Sequence, residues 1–204
     1  MFPKKIVCIG ASSCEGKVDV EGQGFVGRLR KWREAKNQHN SVYNLGISGD
    51  MTYEVIARLK TEIPPRKPDL IIVQCGINDF IRDGGRDKPT RFAVEQVEAN
   101  IRTIIQDAKK TSDVLYVSVY PIDETKTTPC SWMDIYYLAN DARSCANISK
   151  KVATGMNIPY VDVYNTFVKE DYKKLLHTDG LHANSLGHQK IFEMIKDKLL
   201  EIYS

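Results

Sequence analysis

Short apolar runs alternate with longer stretches in which apolar residues recur every three or four positions, and the alternation extends along the whole chain. Residues 6–9, 42–45, 70–73, 114–119 and 160–163 read as strands. In Leu70-Ile71-Ile72-Val73 the apolar character is continuous, as expected for a strand covered on both faces of a parallel sheet. Between the runs, Val97, Ile101, Ile104, Ile105 and Ala108 form one helical stripe. Leu138, Ala142, Cys145 and Val152 repeat the pattern in the next connection. Phe192, Ile195, Leu199 and Ile202 share a face near the C-terminus, with Asn184 or Ser185 as the expected N-cap. This alternation predicts an α/β fold with a mostly parallel sheet, as a single domain over residues 1–204. In such sheets ligands bind beyond the carboxyl ends of the strands.

Composition narrows the classes without choosing among them. A chain of 204 residues that is 42% hydrophobic can bury a sizeable core. A net charge of +3, spread over mixed signs, gives no reason to expect nucleic acid or an anionic membrane as partner. The apolar run at 6–9 is too short for a secretion signal, and no stretch approaches the roughly 18 apolar residues that span a bilayer. Five cysteines, Cys8, Cys14, Cys75, Cys130 and Cys145, form no CxxC pair. They are expected to be reduced thiols of a cytoplasmic protein, with no zinc site. Two segments lack periodicity. Residues 82–91 are charged and carry Gly84-Gly85 and Pro89, and read as a solvated loop. Residues 121–132 end in Trp132-Met133, shortly before Tyr136-Tyr137; these rings either shape a pocket or pack beneath the loop.

Candidate chemistry concentrates in four segments: Gly10-Ala11-Ser12-Ser13, Asn44-Leu45-Gly46-Ile47-Ser48-Gly49-Asp50, Gly76-Ile77-Asn78-Asp79 and Asp179-Gly180-Leu181-His182. Three lie at or just past the ends of expected strands, and the fourth closes the last loop. A serine hydroxyl needs a base within hydrogen-bond reach to act as a nucleophile. Ser12 and Ser13 both qualify by position, and the residues alone do not separate them. Asp179 and His182, three apart in a polar turn, can pair a carboxylate with one imidazole nitrogen and leave the other free. His39 sits in a polar stretch, whereas His177 and His188 flank the motif and could shape its loop. The N–H of Gly49, the side-chain amide of Asn78 and the Ser12 N–H could receive an oxyanion. Each residue alone also suits an ordinary turn or cap. Their coincidence points to acyl transfer through a serine ester.

These segments resemble the blocks of the SGNH hydrolases, also called the GDSL esterase and lipase family. Its Ser, Gly, Asn and His match Ser12, Gly49, Asn78 and His182, and its carboxylate matches Asp179. The resemblance selects Ser12 over Ser13, because the family's nucleophile is the third residue of Gly-Asp-Ser. It implies a three-layer, flavodoxin-like α/β/α fold and a Ser12–His182–Asp179 triad with Ser12, Gly49 and Asn78 as oxyanion hole. It also implies hydrolysis of esters or thioesters without metal or organic cofactor. Two positions depart from the pattern. The family's aspartate before the nucleophile is Ala11, which removes a carboxylate able to bond neighbouring loops, and the proline often found after the histidine is Ala183.

Other readings fit less of the chain. Gly22-Gln23-Gly24-Phe25-Val26-Gly27 is a literal GxGxxG, but the first strand ends near Gly10, too early to feed a dinucleotide loop. Gly24 and Gly27 are expected instead to ease the entry of a helix. An α/β-hydrolase elbow would need glycine where Cys14 stands. A non-catalytic ligand-binding member of the fold, with Ala11 as the relic of lost activity, is the remaining alternative. The expected partner is a small acyl ester: a short-chain ester, a lysophospholipid, a thioester or, alternatively, an O-acetylated carbohydrate. The segments 82–91 and 121–132 would select among them.

Overall fold

The computed structural model describes residues 1–203. In chain order the elements are β1 (Lys5–Gly10), α1 (Ser12–Glu15), α2 (Gly24–Glu34), β2 (Ser41–Gly46), α3 (Thr52–Glu62), β3 (Leu70–Gln74) and β4 (Arg82–Asp83). There follow α4 (Val94–Lys109), β5 (Asp113–Val117), β6 (Ile135–Tyr136), α5 (Ala139–Gly155), β7 (Tyr160–Val161), α6 (Val163–Phe167) and α7 (Ser185–Tyr203). Five strands form one parallel sheet in the order β2-β1-β3-β5-β7. That is a doubly wound order whose direction of winding reverses between β1 and β3, the place where such sheets open a crevice.

The residue patterns account for the layers. Successive side chains of a strand point to opposite faces. Val7 and Ile9 of β1 and Ile71 and Val73 of β3 therefore meet α3, α4 and α5 through Val55, Leu59, Ile101, Ile104 and Val152. Ile6, Cys8, Leu70 and Ile72 face the other way, onto Phe25, Val26 and Leu29 of α2 and Ile191, Ile195 and Leu199 of α7. Fully burying one such aliphatic side chain stabilises the fold by roughly 1.5–3 kcal/mol. The sheet is thus held from both sides, and the three layers follow from continuous apolar strands between striped helices.

Three local expectations change, and one open alternative resolves. The strand expected at 114–119 stops at Val117; in the next residue, Ser118, the hydroxyl accepts from the Tyr164 N–H (3.0 Å). The strand expected at 160–163 is only two residues long: Asp162 accepts from the Asn165 N–H (3.1 Å) and starts α6. Of the two candidate caps for the last helix, it is Asn184 that accepts from the Gly187 N–H (3.0 Å), while Ser185 is already helical. Segment 82–91 is not a freely solvated loop. Arg82 forms a two-pronged pair with Asp141 (2.8 and 3.0 Å), Arg91 does the same with Asp83, and β4 pairs antiparallel with β6. The glycine-rich run opens α2: Gly24, at φ +66°, leaves no room for a Cβ against the Gly16 backbone. Among the described residues no helix is long and apolar enough to cross a membrane.

Candidate active site

One residue separates Ser12 from β1, and Ser12 begins α1, so its hydroxyl stands at the carboxyl end of that strand. Its Oγ lies 3.1 Å from Nε2 of His182, across 170 residues of sequence. The other ring nitrogen, Nδ1, lies 2.8 Å from Oδ2 of Asp179. Oδ1 of the same carboxylate accepts the backbone N–H groups of Leu181 and His182, both at 2.9 Å. The Asp179 turn is therefore built from its own side chain, and it aims the imidazole. Burial alone would raise the carboxyl of Asp179, but the His182 ring and these two N–H groups outweigh it and hold it well below the usual carboxylate range. Asp179 is thus ionised at any ordinary working pH.

Ser13 takes a different position. Its hydroxyl is buried and faces a narrow apolar cavity, together with Tyr120. His177 sits at the edge of the turn, its Nδ1 3.1 Å from Asp179 Oδ2, and its backbone pairs with the His182 carbonyl (2.7 Å). His188 is fully buried against Phe25. His39 lies far along the chain in an exposed turn.

The three candidate oxyanion donors come from three strand ends. Gly49 lies past β2 at φ +90°, a conformation that strains any residue with a Cβ, even though the space beside it is open. Asn78 lies past β3, is 3% exposed, and has both ends of its amide engaged. Nδ2 donates to the Asp50 carbonyl (2.9 Å), which leaves its second N–H free, and Oδ1 accepts from the Tyr137 hydroxyl (2.9 Å). Neighbouring polar groups hold these loops. Asp79 accepts from the N–H (3.0 Å) and hydroxyl (2.5 Å) of Thr52, which in turn accepts from Asn100 (2.8 Å). Burial pushes the Asp79 carboxyl up to about 6, although the Thr52 donors oppose it.

Glu15 makes a contact of the kind Ala11 cannot. It accepts from the N–H (2.8 Å) and the hydroxyl of Ser48, linking the helix that carries Ser12 to the loop that carries Gly49. Nothing in the local sequence marks Glu15 as part of the site, and Asp79 lay in a candidate segment without a role of its own. Tyr137 stood out only as an aromatic after an irregular loop.

Two spaces meet at Ser12. The narrow one, about 30 Å³, is walled by Ala11, Ile77, Val119, Tyr120, Ile122 and Leu181. The wider groove, about 400 Å³, runs past Gly49, Lys17, Arg91, Trp132 and Met133. The Trp132 ring is 47% exposed, with its centre 6.2 Å from that of His182. Among the described residues, no group of three or more His, Cys, Asp or Glu side chains is arranged to hold a metal ion.

The sequence profile of the GDSL-like Lipase/Acylhydrolase family matches residues 8–190. An acetylxylan esterase of Geobacillus stearothermophilus is 26% identical over 203 residues, spanning 91% of this chain and 89% of that protein. Thioesterase 1/protease 1/lysophospholipase L1 of Escherichia coli K12 is 28% identical over 156 residues, spanning 76% of this chain but 62% of that protein. In three dimensions the crystal structure of a lipase/acylhydrolase from Enterococcus faecalis superposes with a TM-score of 0.78 at 23% identity, covering 98% of this chain and 95% of that one. The match runs from the first strand into the last helix, and the chain belongs to the GDSL-like lipase/acylhydrolase family of ester hydrolases.

Proposed function

We propose that residues 1–204 form one hydrolase domain that removes short acyl groups, acetyl above all, from a larger alcohol through a Ser12 acyl-enzyme. The observation that carries the mechanism is the continuous line from Ser12 Oγ to His182 Nε2 (3.1 Å) and from His182 Nδ1 to Asp179 (2.8 Å). Ser12 Oγ attacks the ester carbonyl while His182 takes its proton, and Asp179 stabilises the imidazolium that forms. The Ser12 and Gly49 N–H groups and the free N–H of Asn78 receive the oxyanion. His182 then protonates the departing alkoxide. Water, deprotonated by the same histidine, releases the acid and restores Ser12.

Two spaces support the choice of substrate class. A cavity needs roughly 10–15 Å³ to admit one water molecule, so about 30 Å³ accepts an acetyl methyl and little more. The groove of about 400 Å³ suits a bulky leaving group, and its exposed Trp132 offers a flat face of the kind a sugar ring stacks on. The acetylxylan esterase relative, similar over nearly its whole length, supports an O-acetylated carbohydrate as that alcohol. All five cysteines are unpaired and buried, which supports a cytoplasmic, reducing setting. The test is a series of p-nitrophenyl esters with acetylated xylo-oligosaccharide added. kcat/KM should fall at least about tenfold from acetate to butyrate and further to octanoate, since the extra methylenes find no space. A flat or rising series would overturn the acetyl reading and favour lysophospholipid or long-chain thioester substrates.

A further inference from the structure

We infer that Tyr137 is a positioning residue for the oxyanion site: its hydroxyl, donating to Asn78 Oδ1, holds the amide with one N–H turned toward Ser12. The inference rests on the reading of Asn78 as an oxyanion donor. An asparagine amide is nearly symmetric in shape, so its orientation depends on what its two ends meet. Here the Asp50 carbonyl engages one end and the Tyr137 hydroxyl the other, each at 2.9 Å, and one N–H remains for the substrate. A hydrogen bond accepted at the carbonyl also polarises the amide and strengthens its remaining N–H as a donor.

The phenol is itself held fast. Tyr137 is 4% exposed, its N–H donates to the Thr127 carbonyl (3.0 Å), and its own carbonyl accepts from the Thr127 hydroxyl (2.8 Å). The preceding residue, Tyr136, pairs with Arg82 in the small β4–β6 ribbon, and Arg82 is anchored on Asp141. Burial raises the phenol well above its ordinary value, so it keeps the proton it donates. The chain just after the irregular segment 121–132 thereby delivers one hydroxyl to Asn78.

The test is a double-mutant cycle in Tyr137→Phe and Asn78→Ala, with kcat, KM and melting temperature measured on the intact enzyme and p-nitrophenyl acetate. Asn78→Ala should lower kcat by about 10² to 10³. Tyr137→Phe should lower kcat by about 3- to 10-fold with KM within twofold, the effect of one neutral hydrogen bond. In the Asn78→Ala background, Tyr137→Phe should cost nothing further in kcat. A full loss from Asn78→Ala, with Tyr137→Phe either silent in the wild type or equally costly in both backgrounds, would overturn the inference and leave the phenol a structural prop. If Asn78→Ala itself left kcat intact, the reading of Asn78 would fall instead.

Discussion

Ser12 and Ser13 are adjacent, chemically identical and both just past the end of β1, yet the fold gives them different surroundings. One residue faces His182 Nε2 at 3.1 Å; the other turns its hydroxyl into the narrow cavity beside Tyr120. The short helix α1 does this, since neighbouring helical positions point about 100° apart around the axis. The two serines should therefore separate cleanly under a fluorophosphonate probe. Ser12→Ala should abolish labelling and lower kcat on the order of 10⁴ to 10⁶, as for nucleophiles in comparable triads. Ser13→Ala should still label at its Ser12. Labelling that survives Ser12→Ala and disappears in Ser13→Ala would reverse the assignment. Ala11 and Glu15 teach a related lesson: the sequence suggested a loosened nucleophile loop, whereas the Glu15–Ser48 contact ties that loop down.

Among the elements, the irregular segment 121–132 and the rings that follow it carry more function than their pattern suggested. Both outcomes considered for its rings occur: Tyr137 packs beneath it, while Trp132 and Met133 remain 47% and 58% exposed at the groove. The ion-paired segment 82–91 braces it through β4 and β6. Such a braced loop can present Trp132 as a stable wall on the leaving-group side. Aromatic stacking is worth about 0.5–1.5 kcal/mol, so Trp132→Ala should raise KM for acetylated xylo-oligosaccharide by about 3- to 10-fold. Ethyl acetate, whose alcohol is too small to reach the ring, should change much less. Equal losses on both substrates would mean that Trp132 acts on His182 and not on the alcohol.

Across the whole molecule, the least expected group is His188, fully buried where α7 meets α2. Burial pushes its imidazole down to about 4; Asp19 opposes this, and Arg28 and His182 add to it. In the unfolded chain the same group takes up its proton near 6.5, so between these values the unfolded state binds more protons than the folded one. Stability from this source is present above that range and is lost as pH falls through it. Between pH 8 and pH 5 the loss is about 2 kcal/mol. Urea unfolding of wild type and His188→Leu at these two pH values should show a difference in stability that shifts toward the variant in acid by that order. Parallel pH dependences would show that His188 contributes nothing to it.

Strand–helix alternation, the parallel sheet and the four segments that carry the chemistry are legible in the amino-acid order alone. Those signals are local: a stripe is read within one helix, and the Asp179 turn is built from contacts two and three residues apart. Tertiary structure decided the rest. Which serine meets the imidazole depends on a contact across 170 residues, and the Tyr137 hydroxyl reaches Asn78 across 59. Arg82 looked like a solvated charge until the fold placed Asp141 beside it, also 59 residues away. The strand end at Val161 moved because Asp162 caps the start of α6, accepting the Asn165 N–H, and Ser118, beyond β5, meets the Tyr164 N–H there. Periodicity records which face of an element is buried, but it holds no record of which polar group from a distant element will stand opposite. That pairing is set only when the layers close.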